Sequence, residues 1–77
     1  MEAENRIWTE VTSSNLKAIS YDEEHRELYV WFRGGNIYIY SDIPPEVYDE
    51  LVAAPSHGKY FVENIRNKYQ YRKLSGE

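Results

Sequence analysis

Cysteine is absent from these 77 residues, so neither a disulfide nor a thiolate-bound metal can brace the chain. Histidine is scarce. His25 and His57 are the only two, and no His-Glu-x-x-His pattern joins either to a second ligand. A zinc site would need both, with carboxylates gathered from distant turns, so no metal and no cofactor is expected. Asp22, Glu23, Glu24 and Glu27 crowd one connection but lack the spacing of a calcium loop, and read as a solvated turn. No apolar run approaches the roughly 18 residues of a spanning helix, and no basic segment followed by an apolar run opens the chain. The expectation is a soluble, cytoplasmic protein without a membrane partner.

An excess of positive charge is missing too. The net charge is −4, which argues against a chain whose main task is to hold a phosphate backbone. The distribution says more. Residues 1–58 carry 11 acids and 4 bases, whereas residues 59–73 carry Lys59, Arg66, Lys68, Arg72 and Lys73 against the single acid Glu63. Such polarity can place a basic face on an acidic protein.

The machinery of nucleophilic catalysis is equally thin. A hydroxyl needs a base and an orienting group within hydrogen-bond reach. Ser56 adjoins His57, but neighbours at a helix start diverge, and Ser56 reads as a helix cap. Gly34-Gly35 is too short to cradle a phosphate and is explained by a turn. No catalytic residue and no small-molecule substrate is expected; the chain reads as non-enzymatic.

What is present is a dense aromatic set: eight tyrosines, two tryptophans and two phenylalanines. The length allows one domain, residues 1–77, whose core supplies on the order of 3–5 kcal/mol of net stability. The chain is organised around Leu28–Tyr40, LYVWFRGGNIYIY, in which ring and branched side chains flank Gly34-Gly35 as two strands flank a hairpin turn. Arg6–Val11 alternates as a short extended piece, and Leu16–Tyr21 reads as a strand that returns through a polar connection into Glu27–Arg33. Thr12-Ser13-Ser14-Asn15 is a cluster of turn formers whose side chains bond nearby backbone.

The hairpin register is open between two choices. A two-residue turn pairs Phe32 with Ile37 and Val30 with Ile39. That places Leu28, Val30, Phe32, Ile37 and Ile39 on one face, and Tyr29, Trp31, Tyr38 and Tyr40 on the other. A loop one residue longer, with a bulge, pairs Phe32 with Tyr38 and Val30 with Tyr40. In both, each face carries large apolar groups. Helices can cover one face; the second needs another strand, a partner or a ligand.

Pro44-Pro45 opens a helix whose apolar stripe is Val47, Leu51 and Ala54, and Pro55 stops it. Ser56 caps a second helix from about His57 to Asn67, with Phe61 and Ile65 inward. Tyr69–Leu74 alternates as a final short strand. The fold class is α+β: a small antiparallel meander of three to four strands, then two short helices and a short C-terminal strand.

Ser13-Ser14, Leu16, Ile19, Tyr21-Asp22, Leu28, Val30, Phe32, Gly35, Tyr38-Ile39-Tyr40, Ile43-Pro44, Val47-Tyr48, Ala54, Ser56, Gly58, Tyr60-Phe61, Ile65-Arg66 and Tyr69 fall in an order that resembles the KTSC domain. That module is found at the C-terminus of some lysyl-tRNA synthetases and on its own in bacterial proteins. The resemblance covers about residues 11–74, and it implies a small module for which RNA is the suggested partner. Pro45, and the apolar residues Tyr29, Trp31, Ile37 and Ile39 at alternate sheet positions, depart from a simple solvated face.

Two uses of the aromatic set follow. In the first, rings of the sheet stack on bases while cations hold phosphates. The candidate RNA-binding residues are Arg33, Tyr38, Tyr40, Lys59, Arg66, Lys68, Arg72 and Lys73. In the second, Tyr29, Trp31, Ile37 and Ile39 form an apolar interface to a protein partner or a second copy of the chain. The same rings also serve as core in a chain this small.

Overall fold

The computed structural model describes residues 7–11 and 13–75; Arg6 and Thr12, part of the expected extended piece and turn, lie outside them. The strands are β1 (Thr9–Glu10), β2 (Leu16–Asp22), β3 (Glu27–Phe32), β4 (Ile37–Tyr40) and β5 (Tyr71–Ser75). Two helices, α1 (Pro45–Ala53) and α2 (His57–Asn64), stand between β4 and β5. All strand pairs are antiparallel and the order is β1-β2-β3-β4-β5. The meander is thus five strands wide, with the last strand joining β4 after the chain has passed through both helices.

Local chemistry sets the helix starts. Pro45 occupies the first helical position of α1, where a missing N–H is harmless, and Glu46 lies in its first turn. Ser56 caps α2, its Oγ accepting the Lys59 N–H at 3.3 Å. The end of α2 departs from the expected Asn67. Its regular turns stop at Asn64, and the Ile65 and Arg66 N–H groups both donate to the Phe61 carbonyl. The second of these bonds spans five residues and widens the last turn, and Ile65, with no exposed surface, drops into the core while Arg66 stays outside.

The β3–β4 hairpin takes neither of the two expected registers. Its loop has three residues, Arg33-Gly34-Gly35. The Phe32 N–H donates to the Asn36 carbonyl at 2.8 Å, the Gly35 N–H donates to the Phe32 carbonyl at 2.9 Å, and Gly35 has φ +101°. A three-residue loop of this form needs a residue at positive φ, which glycine supplies without a Cβ clash. Val30 therefore faces Tyr38, Leu28 faces Tyr40, Tyr29 faces Ile39 and Trp31 faces Ile37. The loop length matches the longer of the two alternatives, but the partners lie two residues from those it named. Side chains consequently sort as Leu28, Val30, Phe32, Tyr38 and Tyr40 on the helix-covered face, and Tyr29, Trp31, Ile37 and Ile39 on the other.

Each face has its own core. Under the helices, Leu16, Ile19, Leu28, Val30, Tyr40, Ile43, Leu51, Phe61 and Ile65 form one buried cluster. Tyr48 of α1 stacks on Tyr21 with ring centroids 4.8 Å apart, and the Tyr21 hydroxyl donates to the Ile43 carbonyl at 2.5 Å. On the opposite face, Tyr29, Ile37 and Ile39 are buried beneath Trp8, Trp31 and Leu74. Trp8 meets Trp31 edge to face at 5.3 Å, and Lys17 Nζ sits 4.2 Å above the Trp31 ring. None of the described helices is long and apolar enough to cross a membrane.

Candidate functional site

Between the sheet and α2 runs an open groove of about 720 Å³. Its floor is aromatic. Phe32 meets Tyr38 edge to face at 5.5 Å, Tyr40 meets Phe61 at 5.3 Å, and Tyr71 of β5 lies 5.3 Å from both Tyr38 and Tyr40. The register explains the gathering: Tyr40 pairs with Tyr71 across β4 and β5, so their rings share a face, and α2 brings Phe61 down on them.

The two ends of the groove carry Arg33 and Arg66. Arg33, on the hairpin loop, is held in place. Its Nε donates to the Ser13 carbonyl at 2.8 Å and its backbone N–H to the Asn15 carbonyl at 2.9 Å. Ser13 is itself fixed, its Oγ accepting the Asn15 and Leu16 N–H groups at 3.1 Å. This turn rests against the first turn of α2 at Gly58, where a Cβ would stand 2.7 Å from Ser13 Oγ. A glycine is required there because two segments touch backbone to side chain.

Neither Arg33 nor Arg66 has a carboxylate partner among the described residues. No Asp or Glu among those residues lines the groove, in a chain that has thirteen acids. Burial pushes the Tyr40 phenol up to about 12, the neighbouring Tyr71 adding to the rise and Arg66 opposing it. Tyr40 is therefore a proton donor across the whole physiological range. An acid-free, ring-lined groove with a fixed cation at one end and a second cation at the other can hold an anionic ligand that has flat parts.

The candidate residues divide. Arg33, Tyr38, Tyr40 and Arg66 come together in the groove. Tyr40 belongs to the core as well, only 3% exposed, so its ring face cannot stack on a base. Lys59 borders a smaller hollow beside the Gly58 end, shared with Ser13, Ser56 and Glu63. Lys73 pairs with Tyr38 and so lies on the groove side of β5. Lys68 is exposed in the turn after α2 and does not line the groove. Arg72 does not join them: it pairs with Ile39 on the opposite face and reaches Glu27 at 3.6 Å. The interface residues fare differently again. Tyr29, Ile37 and Ile39 are at most 7% exposed, covered by the chain's own Trp8 and Leu74, and only Trp31 keeps partial exposure. That face is a closed core, because Trp8, just before β1, and Leu74 of β5 pack against it.

Sequence reasoning missed Tyr71, Asn36 and Asn67 as groove residues, and took Phe61 only as helix core. The alternation of residues 69–74 was a signal for Tyr71; nothing local marks the two asparagines. Ser56 and His57 do not converge. Ser56 Oγ is engaged at the cap, and His57 Nε2 donates to the Val52 carbonyl at 3.1 Å, linking α2 back to α1.

Comparison with known proteins places this arrangement. Residues 12–69 match the family model described as the KTSC domain. The chain belongs to the KTSC family. The crystal structure of a KTSC domain protein from Yersinia pestis shares the fold with a TM-score of 0.86 at 30% identity, covering 90% of this chain and 97% of that one. A protein of Tsukamurella paurometabola is 44% identical over 60 residues, 78% of this KTSC chain and 90% of its own length. A lysine–tRNA ligase of Nostoc punctiforme is 36% identical over 62 residues, 80% of this chain but only 11% of the ligase. The KTSC domain thus occurs both as nearly a whole small protein and as a minor part of a much larger one.

Proposed function

We propose that this KTSC domain is a non-enzymatic RNA-binding module whose contact surface is the groove between the sheet and α2. The observation that carries the reading is the pairing of Arg33 and Arg66, both without carboxylate partners among the described residues, across an aromatic groove that no described acid lines. Arginine forks suit phosphate oxygens, and exposed rings such as Tyr71 suit unstacked bases. The fixing of Arg33 by Ser13 lowers the ordering cost of binding. The kinship with part of a tRNA ligase points in the same direction by analogy.

Polarisation of end-labelled single-stranded RNA tests it; tryptophan emission is a poor reporter, since Trp8 and Trp31 pack on the far face of the sheet. Affinity is expected to fall steeply with salt. Arg33→Gln and Arg66→Gln should each weaken binding and reduce the salt slope by about 1. Arg72→Gln, on the opposite face, should leave both unchanged. Absence of binding at low salt, or equal losses from all three variants, would overturn the groove as an RNA site.

A further inference from the structure

Arg33 and Arg66 line the same groove but are held in different ways. Arg66 follows the last regular turn of α2, and its exposed guanidinium has no hydrogen bond or ion pair among the described residues. Arg33 is tied twice to one turn. Its backbone N–H donates to the Asn15 carbonyl at 2.9 Å and its Nε to the Ser13 carbonyl at 2.8 Å. Ser13 closes that turn, its Oγ accepting the Asn15 and Leu16 N–H groups, each at 3.1 Å. Behind the turn, α2 comes so near that a Cβ on Gly58 would stand 2.7 Å from Ser13 Oγ, so the turn cannot retreat.

This geometry decides which part of the Arg33 guanidinium a ligand can use. A guanidinium holds five N–H donors in one plane, and two of its edges carry a parallel pair. One edge is formed by Nε with an Nη group, the other by the two Nη groups. The Ser13 carbonyl occupies Nε and so removes the first edge. The Nη pair has no partner among the described residues and stays open.

We infer that Ser13 is a positioning residue for the ligand: it holds Arg33 as an end-on fork that grips both non-bridging oxygens of one phosphodiester, while Arg66 contributes charge alone. This rests on the RNA reading of the groove. A fork whose plane is already fixed meets two oxygens at little ordering cost. A lysine ammonium carries the same charge but is a point charge without that fork. Arg66, with nothing to orient it, has to be ordered by the ligand itself, and what it brings to a phosphate is neutralisation. The two arginines are thus equal in charge and unequal in shape.

Charge-preserving substitutions in the intact chain test this division, with end-labelled single-stranded RNA as the probe. The salt slope counts neutralised phosphates, so Arg33→Lys and Arg66→Lys should both keep the wild-type slope. Affinity is expected to separate them. Arg33→Lys should lose about tenfold, the worth of one charge-assisted hydrogen bond, and Arg66→Lys should stay within about twofold of the wild type. Ser13→Ala should also bind more weakly at an unchanged slope, since Ser13 offers the ligand no charge. Added to Arg33→Lys it should cause no further loss, because the fork it positions is already gone. A merely structural Ser13 would weaken both backgrounds alike. Both arginines are exposed, so the lysine pair decides the matter even if circular dichroism finds Ser13→Ala unfolded. Equal affinities for the two lysine variants, or additive losses from Ser13→Ala and Arg33→Lys, would overturn the fork and leave the RNA reading intact. Absence of RNA binding by the wild type would overturn both.

Discussion

On one face of the sheet, Tyr29, Ile37 and Ile39 close beneath Trp8, Trp31 and Leu74; on the other, Phe32, Tyr38 and Tyr40 lie under α2 and leave an open groove. Both faces are aromatic, so ring content alone does not tell them apart. The charges differ. On the closed face Lys17 rests on Trp31 and Arg72 reaches Glu27, each cation answered within the chain. On the groove face Arg33 and Arg66 are answered by no acid among the described residues. What separates the two faces of this acidic chain is whether the cations beside the rings are answered.

The largest effect is expected from opening either core of the sheet. Ile39 and Leu51 are both fully buried, one on each side of the sheet. Replacing either with Ala should cost about 2–5 kcal/mol, close to the whole margin of a domain this small, on the order of 3–5 kcal/mol. Urea titration followed by circular dichroism should find both variants largely unfolded at room temperature. A wild-type midpoint for Ile39→Ala would show that the closed face contributes little.

A smaller effect sharpens the account of how the groove is built. Gly58→Ala puts a methyl 2.7 Å from Ser13 Oγ, and should destabilise by about 1–3 kcal/mol through overpacking. Adding Ser13→Ala removes the obstructing oxygen, so the double variant should recover part of the loss in a double-mutant cycle. Simple additivity of the two changes would mean that Ser13 is not seated against α2.

The smallest effect is a pH dependence confined to alkaline conditions. In the folded chain Tyr40 keeps its proton to about 12, whereas an unfolded tyrosine loses it near 10. Above pH 10 the unfolded state therefore binds fewer protons than the folded one, and stability falls as pH rises towards 12; below pH 10 this group adds no slope. Tyr60, also pushed up to about 12 by burial and by its 2.7 Å hydrogen bond to Glu50, shares the window. Urea midpoints measured across that range should fall less in Tyr40→Phe than in the wild type.

Much of the fold was legible because local chemistry announced it. Gly34-Gly35, Pro44-Pro45 and Ser56 each mark a boundary for a stated stereochemical reason, and the structure places a boundary at each. The register was not legible. A strand's inward face is read from the contrast between apolar and polar alternates, and residues 28–32 and 37–40 offer large apolar groups at both parities. The end of α2 escaped for a related reason: Ile65 has to enter the core, a tertiary demand that helix periodicity does not express. Half of the candidate RNA-binding residues gathered in the groove because β4 and α2 converge on it. Arg72 and Lys73, adjacent in sequence, went to opposite sides of the sheet, and only the pairing of β5 with β4 decides which goes where.

That pairing sets an order of events. Tyr40 meets Tyr71 across two intervening helices, whereas β2, β3 and β4 are joined by short turns. Closing the longer loop costs more chain entropy, so the hairpins can form first and β5 docks late. Tyr71 completes the groove while Leu74 seals the opposite core. Until β5 has docked, the groove therefore lacks its Tyr71 wall and the opposite core lacks the side chain that seals it.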